Sequence, residues 1–394
     1  MTESARLYCG VKKMDKVKSI SFDSKISVIK KRDSNLELFR IITMLLIVAH
    51  HFVVNSGLMA DDGLIYSSPF SVNQIFLLLL GAWGKTGINC FVMITGYFMC
   101  KSNITLNKYL KLLFEIYFYR ISISLIFWIT KYESFSVNQL IDMLLPVKNI
   151  GANFTGCFIM FYLFIPFINI LINAMNKKQH IGLLILCFVT YVLFGTVHKI
   201  NFNYVSWFMI IYLFAAYIRF YPNKFFETKK IGWLLLGCIF LSSTSVVASL
   251  LLGNRLNKTI AYYFVQDSNS FLPFVTGICA FLFFKNIKIR YSSIINAAGA
   301  STFGVLLIHA NSDTMRQWLW VDLLKNTEMY SSAYMPLYAV VCAIGIFVVC
   351  VVIDQLRINF IEKPFFKCFS GKIQNISDSV RIRIENVVKK YDIK

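Results

Sequence analysis

Acidic residues are scarce in this chain, and so are prolines. Of 394 residues only 20 are Asp or Glu, against 40 Lys or Arg, and only 15% are charged at all. Charge this sparse, beside 57% hydrophobic residues and 37 Phe, excludes an ordinary soluble domain and fits a polytopic helical membrane protein. Seven prolines are too few to suggest the Gly/Pro-broken helices, repeated in two halves, of an inverted-repeat transporter. The ten cysteines form no CxxC and no Cys/His ligand spacing. Those in apolar runs, such as Cys90, Cys157 and Cys350, read as small buried hydrophobes, so neither a metal site nor a disulfide framework is expected. Period-two alternation is weak and the apolar runs are about 20 residues long, which argues against a β-barrel. There is no internal repeat, low-complexity stretch or soluble catalytic domain. Any chemistry must take place within or at the faces of a membrane domain.

What is present is an all-α pattern of about ten transmembrane helices. The candidate spans are 37–56, 74–99, 109–130, 153–173, 181–198, 204–221, 231–253, 269–286, 293–311 and 334–355. A net charge of +20 would point to nucleic acid in a soluble protein, but here its distribution decides. Most Lys and Arg fall in the two terminal tails and the even-numbered connections, which the positive-inside rule places in the cytoplasm. No nucleic-acid partner is expected. Both termini are expected in the cytoplasm, with the lipid bilayer as the surrounding partner and a cell membrane, crossed several times, as the location. Residues 1–34 form a basic tail without the apolar core of a cleaved signal. Residues 35–365 form the membrane domain, and 366–394 a second basic tail. In that tail Ile376, Val380, Ile384 and Val387 share one face, as in a basic helix resting on anionic headgroups, and a solvated helical tail fits the same pattern equally well.

The first span carries ionisable groups that a bilayer makes costly: Glu37, Arg40, His50 and His51. Arg40 and His51 are eleven residues apart. At about 100° per residue this returns to within about 20° of one helix face, and at about 1.5 Å rise separates them by roughly 16 Å. A cation therefore sits near one membrane surface and an imidazole towards the other. His309, Asn311 and Trp207 are expected at the imidazole's depth, and Lys101, Lys108 and Lys111 at the cation's. Polar groups at one depth on several helices suggest a cavity. A neutral imidazole suits proton removal from a hydroxyl, and Arg or Lys suits phosphate. An acyl-coenzyme A, with its phosphorylated head and thin thioester arm, has the matching shape.

These residues resemble those of the membrane acyltransferase 3 family, which includes bacterial O-acetyltransferases of cell-surface polysaccharides. That family carries an Arg or Lys, ten residues and a His in its first span, as Arg40 and His51 do here. Glu37 in NLELFR is similar to its acidic position. GINCFVMITGYFM (87–99) is similar to its second-span signature, with Thr95-Gly96-Tyr97 where Ser-Gly-Phe or Ser-Gly-Tyr is usual. The segments 201–221 and 301–311 look like its later signatures, and the resemblance spans roughly residues 35–365. The family's Arg-rich motif after the second span is reduced here to Lys108 and Lys111.

The resemblance implies an integral-membrane O-acyltransferase. It would use acetyl-CoA, or another acyl-CoA, as co-substrate, with no permanently bound cofactor. The acceptor would be a sugar hydroxyl of an exopolysaccharide, another envelope glycan or a lipid-linked sugar. Arg40, with Lys108 and Lys111, would hold the donor phosphates, and Glu37 would orient Arg40 or a neighbouring lysine. His51 would be general base or acyl relay. His50, Trp207, His309 and Asn311 would line the acceptor cavity. The rival readings are a transporter or flippase for a lipid-linked sugar, and a membrane sensor or assembly protein in which Arg40 and His51 merely pair with other helices.

Overall fold

The computed structural model describes residues 33–148, 153–198, 203–228 and 230–390. The chain divides into Met1–Arg32 and Asp33–Lys394, and all that follows concerns the second unit. The expected N-terminal tail lies outside the described residues, apart from its last two.

Among the described residues the chain is helical, with no strand. A bilayer leaves no water for backbone groups, so apolar runs of this length satisfy their N–H and C=O groups within helices. Seven helical segments are long and apolar enough to cross a membrane. They are Ser34–Val54 (α1), Val72–Met99, Leu106–Ile129 (α4), Phe154–Ala174 (α5), Lys177–Val197 (α6), Ile231–Leu256 (α8) and Met335–Ile376. Two shorter apolar helices, Tyr204–Phe220 (α7) and Phe271–Asn286 (α9), accompany them. Short polar side chains mark several starts. Ser71 accepts from the Gln74 N–H, Thr105 from Lys108 and Asn203 from Ser206, which satisfies otherwise orphaned helix N–H groups.

Helix α1 is the hub. It packs on six helices from both halves of the chain, and 50% of its apolar window is buried, against 22% for α8. The outer helices turn large apolar residues outward, among them Ile129 and Trp233, both 78% exposed. This is the arrangement expected where hydrocarbon replaces water.

Two expected spans depart from continuous helices. The run 74–99 divides into α2 (Val72–Gly81) and α3 (Gly84–Met99). The Gly81 carbonyl near the break accepts a hydrogen bond from His50 Nδ1 at 2.5 Å. Gly84 permits this closeness, since a Cβ there would lie 2.2 Å from His50 Cγ. The expected ninth span, 293–311, is two short helices, α10 (Ser293–Ala300) and α11 (Thr302–His309). At the joint the Thr302 hydroxyl donates to the Gly299 carbonyl at 2.9 Å and the Gln355 amide to the Ser301 hydroxyl at 2.8 Å. Side chains that bond locally to backbone in this way compete with the helix ladder. Each half has 8 residues, well short of the roughly 20 needed to cross alone.

Near the C-terminus, Met335–Leu356 (α12) continues through a π-helical turn, Arg357–Glu362, into Lys363–Lys390 (α13). The basic segment, expected as a surface helix or a solvated helical tail, is the end of this longer helical run.

Candidate functional site

His51 occupies the last turn of α1, and His309 the last residue of α11. The two helices pack together, which brings His51 Nδ1 to 3.0 Å from His309 Nε2. The proton positions follow from the bonding. His309 Nδ1 lies 2.6 Å from the Val305 carbonyl oxygen, which only accepts, so His309 Nδ1 carries the hydrogen. A neutral His309 therefore offers a bare Nε2, and His51 Nδ1 must donate to it. His51 Nε2 is left with its lone pair and no partner among the described residues.

That nitrogen belongs to a residue lining a cavity of about 560 Å³. Most walls of the cavity are polar. Lys85, on the first turn of α3, donates to the Tyr204 hydroxyl at 3.0 Å and sits 5.7 Å from that ring's centre. Arg120, on α4, donates to the carbonyls of Met143 (3.3 Å) and Asp142, which ties the short helix Val137–Leu144 over the cavity. On the rim, Glu133 accepts from Thr314 at 2.7 Å and Gln139 at 2.5 Å, joining the segments after α4 and α11. Arg316 pairs with Asp313 at 2.6 Å. Asn311 also lines the cavity, with its amide donating to the Leu307 carbonyl at 3.0 Å.

Three expected lining residues lie elsewhere. His50 is turned from the cavity by its bond to Gly81 and its packing on Gly84. Trp207 is fully buried, its indole donating to Asn89 at 2.9 Å and its ring 5.9 Å from Phe274. A tryptophan at the start of α7 is drawn inward because its N–H finds a partner there. His309 is likewise fully buried, and backs His51 rather than facing the cavity.

At the other end of α1, Arg40 lies 3.7 Å from Glu37 and over the Phe98 ring at 5.9 Å. On the adjoining Tyr97 lies Arg219, which donates to its hydroxyl at 2.7 Å and stacks at 4.5 Å. Lys108 is held by Ser102 and the Asn103 carbonyl, at 2.7 and 2.8 Å. Lys111 reaches Glu362 at 4.0 Å and the Phe366 ring at 5.3 Å. None of these contacts joins either lysine to Arg40, and Arg40 does not line the 560 Å³ cavity.

Lys85, Arg120 and Arg219 were not singled out from sequence. The signal was there for all three, since each is an ionisable residue within or beside an apolar run. Their placement beside His51 or Arg40 depends on helices far apart in the chain.

Compared with known proteins, residues 33–354 match the family model Acyl_transf_3, described as an acyltransferase domain. No curated protein and no solved structure matches the chain.

Proposed function

The chain belongs to the acyltransferase 3 family, whose domain covers most of its length, and on that premise we propose that it transfers an acyl group, acetyl above all, from acyl-CoA to a sugar hydroxyl of a cell-envelope glycan. The observation that carries this reading is His51 Nε2, bare and facing a polar cavity, on the same helix as Arg40.

The chain crosses the bacterial cytoplasmic membrane ten times with both termini in the cytoplasm. The seven long segments, α7, α9 and the interrupted pair α10–α11 make up that number. Arg40 then faces the cytoplasm, where coenzyme A resides, and the His51 cavity faces outward. The donor's phosphates rest on Arg40, oriented by Glu37, with Arg219 the cation on the adjoining aromatic ring. Lys108 and Lys111 would have to leave Ser102 and Glu362 to join them. The pantetheine arm covers the roughly 16 Å of helix rise between the two sites.

His51 Nε2 takes the proton of the acceptor hydroxyl as its oxygen forms a bond to the thioester carbonyl carbon. The C–S bond then breaks, and the departing thiolate recovers the proton from the imidazolium. His309 holds His51 in the tautomer this step requires. A positioned base of this kind contributes on the order of 10²–10⁴ in rate.

The test is to incubate the purified full chain, in lipid nanodiscs, with acetyl-labelled acetyl-CoA and the glycan of a host strain lacking the protein. Label moving to the glycan supports the reading. Movement of unlabelled glycan or lipid-linked sugar across the membrane, without thioester consumption, overturns it in favour of transport.

A further inference from the structure

The cavity that receives the acceptor carries charges of both signs, but they are unequally occupied. Each carboxylate in its wall already has a partner. Glu133 accepts from Thr314 and Gln139, Asp142 pairs with Lys148 at 2.7 Å, and Asp313 pairs with Arg316. The donors are not all matched. The Lys85 ammonium has three hydrogens, and among the described residues its one hydrogen bond goes to the Tyr204 hydroxyl and no carboxylate pairs with it. The Arg316 Nε–H and the Trp128 indole N–H, both on lining residues, have no acceptor among the described residues. Open donors at these positions, beside carboxylates that each already hold a partner, favour a ligand rich in oxygen and negative charge, because such a ligand completes the unmade bonds.

We propose that the acceptor saccharide carries an acidic group, a carboxylate or a phosphate, and that Lys85, with Arg316 and Trp128, binds it while the neighbouring hydroxyl lies at His51. The proposal rests on the acyl-transfer reading above and adds the chemical class of the acceptor. Lys85 anchors the anion because it combines full charge, partial burial and a position in the same cavity wall as His51. Tyr204 holds its ammonium group in place through both hydroxyl and ring.

The experiment uses the full chain in nanodiscs, labelled acetyl-CoA, and glycan from a host strain lacking the protein. The glycan is supplied intact, with its carboxylates reduced to alcohols, with its phosphates removed, and with both treatments. Neutralising the recognised group is expected to lower kcat/KM tenfold or more, chiefly through KM. Which single treatment does so identifies carboxylate or phosphate. Lys85→Gln should use the intact glycan as poorly as the wild-type protein uses the neutralised one, while Lys85→Arg restores most of the preference. Equal transfer to intact and doubly treated glycan overturns the proposal and leaves acyl transfer standing. Absence of label on even the intact glycan means instead that the acyl-transfer reading has failed.

Discussion

Buried ionisable groups gather at both ends of this helical bundle, and they are used in opposite ways. At one end Arg357 is enclosed, its side chain 2% exposed. Its guanidinium meets Asp354 at 2.8 Å, Glu362 at 2.6 Å and Glu115 at 3.1 Å, and Tyr119 donates to Asp354 at 2.8 Å. The π-helical turn places Arg357 and Glu362, five residues apart, side by side, as i→i+5 bonding does. Gly304 makes room for the cluster, since a Cβ there would fall 2.3 Å from an Asp354 oxygen. At the other end, His51 has one nitrogen bound and one open to a cavity. Charge paired in this way clasps α4 to α12, with α11 packed against Asp354 at Gly304. Polar capacity left open on a cavity is available for chemistry.

The comparison can be broken at either end. The largest effect is expected for His51→Ala, which should lower acyl transfer by about 10²–10⁴ while membrane protein level and thermal midpoint stay close to wild type. Arg357→Met should do the reverse. It leaves three carboxylates without their cation and costs about 3–5 kcal/mol, read as a fall in the detergent melting temperature. His309→Phe should lower kcat about tenfold with KM little changed, because the acceptor for His51 Nδ1–H is gone. His309→Gln, which restores an acceptor, should recover part of it. Gly304→Ala should destabilise by about 1–3 kcal/mol through crowding at Asp354. The smallest effect belongs to His50→Ala. Loss of its bond to Gly81 should cost about 1 kcal/mol of stability and leave kcat near wild type.

Much of this was legible before folding, where the information was local. Length, apolarity and the cost of charge in lipid marked the helical membrane class and drew attention to Arg40 and His51. The breaks at residues 82–83 and 301 were not legible. They depend on His50 and Gln355, which reach them from other helices. The same holds for the site. His51 was visible as an ionisable group in a span, but its partner His309 is 258 residues away, and only folding shows that it backs His51. Trp207 and His50 share the cavity's depth but point elsewhere, a distinction that helix periodicity alone did not make. Lys85 and Arg120 are also ionisable groups in or beside apolar runs, but no spacing within one span relates them to His51.

The central claim is the proton arrangement of the two paired imidazoles. With five histidines in the chain, ¹⁵N solid-state NMR of histidine-labelled protein in bilayers can resolve each ring, with His51→Ala and His309→Gln giving the assignments. The expected spectrum shows His51 and His309 both neutral with hydrogen on Nδ1, and a coupling from His51 Nδ1–H to His309 Nε2. A His51 ring carrying its hydrogen on Nε2 in the resting protein would have no lone pair towards the cavity, and would contradict the account.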